Sequence, residues 1–479
     1  MDQGSVHYGG RLSRRRMLRL TYLGLGALSA TSLLQACAPA QPSPTTAPSQ
    51  PTPQPAATTR PAQQPTPQPA QKAPAVSKPG SLSIILWSHF VPDFDKWLDQ
   101  YVADWGAKQN VTVRVDHIPL LEIPARLGAE ISARAGHDIV MLPPRAGVAL
   151  YAEHLADVTD VVEELGKPHG GWSEFAHLIS NIDGQWLSYP DYGLAFPGLY
   201  RKDLYDAEGL KKPDTWEDVL NASRTLKAKG NPAGIAISHT PDANSSWGAI
   251  LWSFGASWVD KDGKTIILDS PETREALRFA KALFDEGMTN EVFAWDDAAN
   301  NTFLASGRGS FIHNAISALR SIEGQNKELA DKIDIASTPQ GPKARLVWAP
   351  GHHYGIWKFS PNIETAKAFL RDYGQQWEEA VKASKGYNMV LFKEIPRPYP
   401  VLDNDLPKYR LVVDEVKYFA TAGYPGISTA PAVEVGETYI IPDMVAKVCQ
   451  GTPIDEAIAW AEGEIKKIYD KWAQRGSSR

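Results

Sequence analysis

From residue 82 onward, short apolar runs alternate with stretches in which apolar residues recur every three or four positions, so strands and amphipathic helices succeed one another. Residues 82–87 (LSIILW) form a continuous apolar run ending in a polar loop, which predicts a strand buried on both faces. Phe94, Trp97, Leu98, Tyr101, Val102 and Trp105 then share one face of a helix. Residues 111–118 alternate as a second strand, 122–134 carry Ile123, Leu127 and Ile131 on a helical stripe, and 138–142 make a third strand. This succession implies an α/β fold whose strands pair in parallel through right-handed crossovers.

The pattern changes at 186–196 (WLSYPDYGLAF), which reads as an extended crossing into a second α/β region. There Thr215 is placed to cap a helix over 216–229, and Ala276, Leu277, Ala280, Leu283 and Phe284 line the inner face of another over 272–286. Asp262-Gly263, between Trp258 and Ile267, predicts a hairpin.

The first 80 residues follow a different logic. Arg11, Arg14, Arg15, Arg16 and Arg19 precede an apolar stretch over 20–34, which reads as an export signal over 1–37. Residues 13–19 (SRRRMLR) resemble the twin-arginine export pattern, and Leu34-Gln35-Ala36-Cys37 resembles a bacterial lipobox, in which Cys37 is lipidated. The apolar stretch is shorter than the ~20 residues a membrane span needs, so a lipid anchor at Cys37 is favoured over a transmembrane helix. Residues 38–80 hold 13 prolines among Gln, Thr, Ala and Ser and cannot form a core. Such chain is extended, with a reach of up to ~130 Å, and is read as a tether.

Composition narrows the function classes. The chain has 479 residues, enough for two or three domains, with 49 Lys plus Arg against 55 Asp plus Glu. A net charge of −6 argues against a nucleic-acid partner. Two cysteines, Cys37 and Cys449, exclude a disulfide framework and a Cys-rich metal site. No GxSxG elbow, HExxH, GxxxxGK[ST] loop or GxGxxG fingerprint occurs, so neither a cofactor nor a metal is expected and an enzyme is the weaker reading.

Residues 126–138 (RLGAEISARAGHD), 155–159 (LADVT), 184–190, 199–204 (LYRKDL), 213–217 (PDTWE), 303–311 (FLASGRGSF) and 360–370 (SPNIETAKAFL) occur in one order across nearly all of 82–470. With the opening strand and Trp87, this set resembles extracellular solute-binding proteins of the sugar-binding type that serve ABC importers, similar in layout to maltose-binding proteins. Arg201 stands where that family often has Asn, and His137 where it has Pro.

The resemblance implies two α/β lobes joined by hinge segments, with solute held between them. The first lobe is expected over 81–190 plus about 345–385, and the second over 191–344 plus about 386–479. It also implies a monomer outside the cytoplasm, tied to the membrane through Cys37 and working with importer membrane subunits.

In open α/β sheets, ligands bind beyond the carboxyl ends of the strands. Trp87 and His89 follow the first strand and Arg145 the third, and Tyr189 and Tyr192 flank the crossing. Trp247 and Trp295 are stacking faces for a sugar ring, Trp295 with acceptors at Asp296 and Asp297. Asn314 ends a strand at a place where the family brings a cleft residue, with His313 beside it. His353 and Tyr354 lie on a strand returning to the first lobe. The adjacent His352 and His353 point to opposite faces of extended chain and would not chelate one metal. A sugar is the favoured solute. The alternatives are a polyamine or other cationic solute, to which caging acidic residues would point, and a lipid-anchored glycosidase, which would need two facing carboxylates.

Overall fold

A computed structural model describes residues 80–145 and 147–476. The export signal, Cys37 and the proline-rich tether lie outside the described residues. Among these residues, no helix is long and apolar enough to cross a membrane.

Two sheets organise the described chain. The first has six strands in the order Met389–Val390, Tyr189–Gly193, Gly351–Ile356, Ile139–Met141, Ser81–Trp87 and Thr112–Ile118. The opening strand Ser81–Trp87 pairs in parallel with both Thr112–Ile118 and Ile139–Met141, as its crossover helices require. The other three strands pair antiparallel, so the sheet is mixed. The helix Pro92–Gln109 buries Phe94, Leu98, Val102 and Trp105, while Trp97 and Tyr101 stack on each other at its margin. Met389–Val390, from beyond residue 386, completes the first sheet.

The second sheet has four strands, Ile333–Ala336, Gly198–Arg201, Phe311–His313 and Ala233–Gly234. Its helix Trp216–Ala228 begins with a capping box in which Thr215 and Asp218 each satisfy the other's backbone N–H. That helix packs on Pro271–Gly287, whose buried face includes Ala276, Leu277, Ala280, Leu283 and Phe284. The hairpin at Asp262-Gly263 forms, with Val259 bridged antiparallel to Ile266. The C-terminal helices Ala430–Glu437, Ile440–Cys449 and Ile454–Gln474 pack together, and Ile440–Cys449 rests on this second body. Cys449 is a buried thiol there.

Both departures from the family pattern are structural. A proline at 137 would have no N–H, whereas His137 donates its N–H to Glu130 Oε2 (3.1 Å) and places its ring between Glu130 (2.6 Å) and Asp116 (3.0 Å). Trp357 and Arg126 also donate to Glu130, so the buried carboxylate is fully engaged. Arg201 grips Asp203 through two hydrogen bonds of 2.7 Å and the Gly307 carbonyl at 2.8 Å, tying the second sheet to the turn after residue 303.

Candidate functional site

The opening strand delivers Trp87 at its carboxyl end, where it is walled in by aromatic rings. Its indole N–H donates to Tyr192 Oη (3.1 Å), and its ring stacks on His352 at 5.1 Å and meets the edge of Phe90 at 5.0 Å. Tyr192 also stacks on His352, with centroids 4.3 Å apart. This places Trp87, Tyr192 and His352 in one stack at the end of the first sheet.

His89 lies beside it. The Val91 N–H donates to its Nδ1 (2.9 Å), which puts the ring proton on Nε2, facing Asn388 Oδ1 at 3.0 Å. Burial lowers the His89 pKa to about 4, so this proton arrangement is that of a neutral imidazole at physiological pH. Burial, reinforced by His89 and Arg145, also holds His352 neutral.

Arg145 leaves the third strand of the first sheet and reaches across to the helix Pro241–Ser253 of the second lobe. Its Nε donates to Ser245 Oγ (2.8 Å), its Nη2 lies 3.7 Å from Asp242 Oδ1, and its guanidinium lies 5.7 Å from the Phe196 ring. Ser245 passes the contact on by donating to the Trp348 carbonyl at 2.7 Å. Asn300 donates to the other oxygen of Asp242 (2.7 Å). A buried guanidinium thus joins the two lobes at a helix's first turn.

Two glycines permit this convergence. A Cβ on Gly248 would lie 2.7 Å from the Trp348 ring, and one on Gly436 would lie 2.5 Å from it, so only glycine lets both helices close on that indole. Asn244 then donates to the Gly436 carbonyl (2.9 Å), bringing Glu437 to the first turn of Pro241–Ser253.

Three carboxyl groups therefore lie within electrostatic range of one arginine, Asp242 at 3.7 Å. Burial and the neighbouring Asp242 push the Asp297 carboxyl up to about 8, and burial pushes Glu437 up to about 7 against the pull of Arg145. Asp242 is likewise raised by burial, opposed by Arg145. Tyr387 stands within electrostatic range of Asp242 and Asp297, Tyr439 of Glu437 and Asp297, and Tyr151 of Glu437.

Of the residues expected from sequence, Trp87, His89, Tyr192 and Arg145 converge here. Others lie elsewhere. Tyr189 sits between Trp172 and Tyr373, away from the Trp87 stack, and Tyr354 also packs on Tyr373. The His353 Nδ1 pairs with Ser188 Oγ at 2.9 Å inside the first lobe. Trp247 is 1% exposed and donates to the Ala236 carbonyl (2.7 Å), which makes it a core residue of the second lobe. The Trp295 ring packs on Phe303 and against Gly234, although its neighbour Asp297 does enter the acidic group. Asn314 donates to Asn301 Oδ1 (2.6 Å), one residue from the Asn300 that holds Asp242. His313 is a core histidine bridging Ser246 and Thr338.

Sequence reasoning passed over His352, Asp242, Glu437, Tyr387 and Asn388. His352 carried a signal in its alternation with His353. The other four are brought in by tertiary contacts over long separations, and no local spacing marks them. Among the described residues, no group of three or more His, Cys, Asp or Glu side chains is arranged to hold a metal ion.

Comparison with known proteins agrees with this architecture. The family model for bacterial extracellular solute-binding proteins matches residues 91–371. A binding protein of Brucella abortus (strain 2308) is 23% identical over 319 residues, spanning 64% of this chain and 76% of its own. MalE3 of T. maritima, solved with maltose bound, superposes with a TM-score of 0.70 at 19% identity, over 81% of this chain and 99% of that one. An ABC transporter solute-binding protein from Thermotoga lettingae, bound with alpha-D-tagatose, gives 0.68 at 19% identity with the same coverage. The family and these neighbours are binding proteins rather than enzymes.

Proposed function

This chain belongs to the bacterial extracellular solute-binding protein family, and on that premise we propose that it captures a small carbohydrate-type solute between its lobes and presents it to the membrane subunits of an ABC importer. The observation that carries this reading is Arg145, which leaves the first sheet and is hydrogen-bonded to Ser245 of a second-lobe helix. A solute lodged beside that contact touches both lobes. It therefore stabilises the closed form more than the open one, and only a difference of that kind lets an importer tell loaded protein from empty. Micromolar affinity, about −8 kcal/mol, suits capture followed by release.

The wall suits a ring-shaped solute. Trp87, Tyr192 and His352 are at most 3% exposed in this arrangement, so a solute ring would reach their faces only when the lobes part, and Arg145, Asn388 and the carboxyl groups then offer fixed polar partners. A thermal-shift panel of monosaccharides, amino sugars, oligosaccharides, amino acids and polyamines tests the reading. A carbohydrate at a hundred times its Kd adds about 2.7 kcal/mol of stability and raises Tm. Stabilisation by amino acids or polyamines, with no response to any carbohydrate, removes the carbohydrate assignment.

In this reading the chain is exported by its twin-arginine-like signal, lipidated on Cys37 and held on its proline-rich tether outside the cytoplasm. Cells fed an alkyne analogue of palmitate are expected to label the wild type and leave Cys37→Ser unlabelled. An unlabelled wild type removes the lipid anchor without touching the binding reading.

A further inference from the structure

The acceptors around Arg145 exceed what that one cation can satisfy. Asp242, Asp297 and Glu437 supply three carboxyl groups, and Arg145 also spends its Nε on Ser245. Two acceptors near this group stand unmet. Asp297 Oδ1 is sealed from solvent with no hydrogen-bond partner, although the Asp242 backbone N–H does bond to the Asp297 carboxyl. Asn244, 4% exposed, gives its amide N–H to Gly436, beside Glu437, and leaves its Oδ1 equally unpartnered. A buried acceptor without a donor is costly, so two of them in this group call for a donor from outside the chain.

Charge decides what kind of donor. Sugar hydroxyls would fill the lone pairs but leave Asp297 and Glu437 protonated, with no use made of their charge. An ammonium group brings three N–H donors and a positive charge together.

We infer that the solute taken by this cleft carries a protonated amine, held by Asp297, Asn244 and Glu437. The inference rests on the binding function proposed above and adds the chemical class of the ligand. An amino sugar and a linear polyamine share this chemistry.

A proton balance follows. Without ligand, the raised pKa values of Asp297, about 8, and Glu437, about 7, leave protons on these groups near neutrality. The groups facing them are Arg145 and Tyr151 from the first lobe, Asp242 and Asp296 from the second, and Tyr387 and Tyr439 from the later segments. An arriving ammonium favours the ionised carboxylates, so each acid that ionises releases its proton to solvent. Affinity then rises with pH until the acids are already ionised.

Calorimetry and thermal shift on the mature chain, at about pH 6 and about pH 8, test this with glucosamine, galactosamine, spermidine, N-acetylglucosamine, glucose and maltose. An amine is expected to bind about tenfold tighter at the higher pH, with a heat that depends on the buffer's own ionisation, and N-acetylglucosamine is expected not to bind. Asp297→Asn and Glu437→Gln should each weaken the amine about tenfold while the unliganded melting curve shows a folded protein. A neutral sugar that binds as tightly as its amino counterpart, or an affinity that does not change with pH, overturns the inference and leaves the carbohydrate reading standing. Spermidine binding without either amino sugar supports the amine and overturns the carbohydrate. Silence across the whole panel overturns both.

Discussion

Asp138→Ala is expected to lower the unfolding free energy by about 3–5 kcal/mol, the largest loss anticipated from one substitution in this protein. Asp138 is fully buried where the third strand of the first sheet begins. Its Oδ2 accepts from the Ser83 N–H (2.8 Å) and the Ser83 hydroxyl (2.9 Å), and its Oδ1 from Ser360 Oγ (2.6 Å) and Asn362 Nδ2 (3.2 Å). One carboxylate therefore fastens the opening strand, its parallel neighbour and the loop leading into the helix Ile363–Gly374. Alanine strands these donors in a place water does not reach. Asp138→Asn keeps the shape but turns an N–H₂ toward groups that donate, and should cost about 1–3 kcal/mol. Urea unfolding followed by tryptophan fluorescence measures both. An alanine variant with the wild-type midpoint would show that the network contributes nothing net.

That residue also marks where sequence reading succeeds. Asp138 ends the 126–138 segment, and the strand after it is a short apolar run whose neighbours are crossover helices, so local periodicity and topology agree. The same consistency made Thr215, the Asp262-Gly263 turn and the inward face of Pro271–Gly287 readable, because each depends on residues within a few positions of one another. The antiparallel part of the first sheet was less legible. Gly351–Ile356 was expected in the first lobe through the family resemblance and Met389–Val390 in the second, yet both join the first sheet from about 200 residues away, and nothing in an apolar run states which strand it will pair with.

The site divides along the same physical line. Trp87, His89 and Arg145 were found because the carboxyl end of a strand is a place the topology itself defines. Trp247 was mistaken for a stacking face because an indole beside Asn244-Ser245-Ser246 looks accessible in one dimension, yet only Ser245 meets Arg145 at the lobe junction, Ser246 turns to the core His313, and the ring turns inward to Ala236. Asp242 and Glu437 meet only through the closure of two helices on Trp348, a contact set by Gly248 and Gly436, and Tyr387 arrives from the segment after the helix Trp377–Ala383. Glycine marks a close approach without naming the partner, so the acidic group stays hidden until the chain is folded.

The crossing strand Tyr189–Gly193 carries the second large effect: Asp191→Asn is expected to stabilise the protein at about pH 8 and to leave it nearly unchanged at about pH 4. The register between this strand and Gly351–Ile356 slips at His352 and His353, which pair with Tyr192 and Pro190, so Asp191 is the bulged residue between them. Its Oδ2 accepts from Tyr373 Oη (2.8 Å) among the rings of Tyr189 and Tyr354, and burial lifts its pKa from 3.8 to about 7 despite that hydrogen bond. Below the unfolded value, both states hold the proton and pH has no effect. Between about 4 and 7 the unfolded chain ionises and the folded one does not, so stability falls across that window and stays reduced above it. The full shift is worth about 4 kcal/mol, and water reaching the partly exposed side chain brings the expected gain from asparagine to about 2–3 kcal/mol. Asparagine still accepts from Tyr373, so the hydrogen bond is kept while the titration is removed. Wild-type urea midpoints should decline from about pH 5 to about pH 8, and Asp191→Asn should decline less, with Asp297 and Glu437 supplying the remainder of the same sign. Equal slopes for the two proteins would mean that Asp191 is ionised at the bulge, with water or a cation supplying the charge compensation that its aromatic surroundings lack.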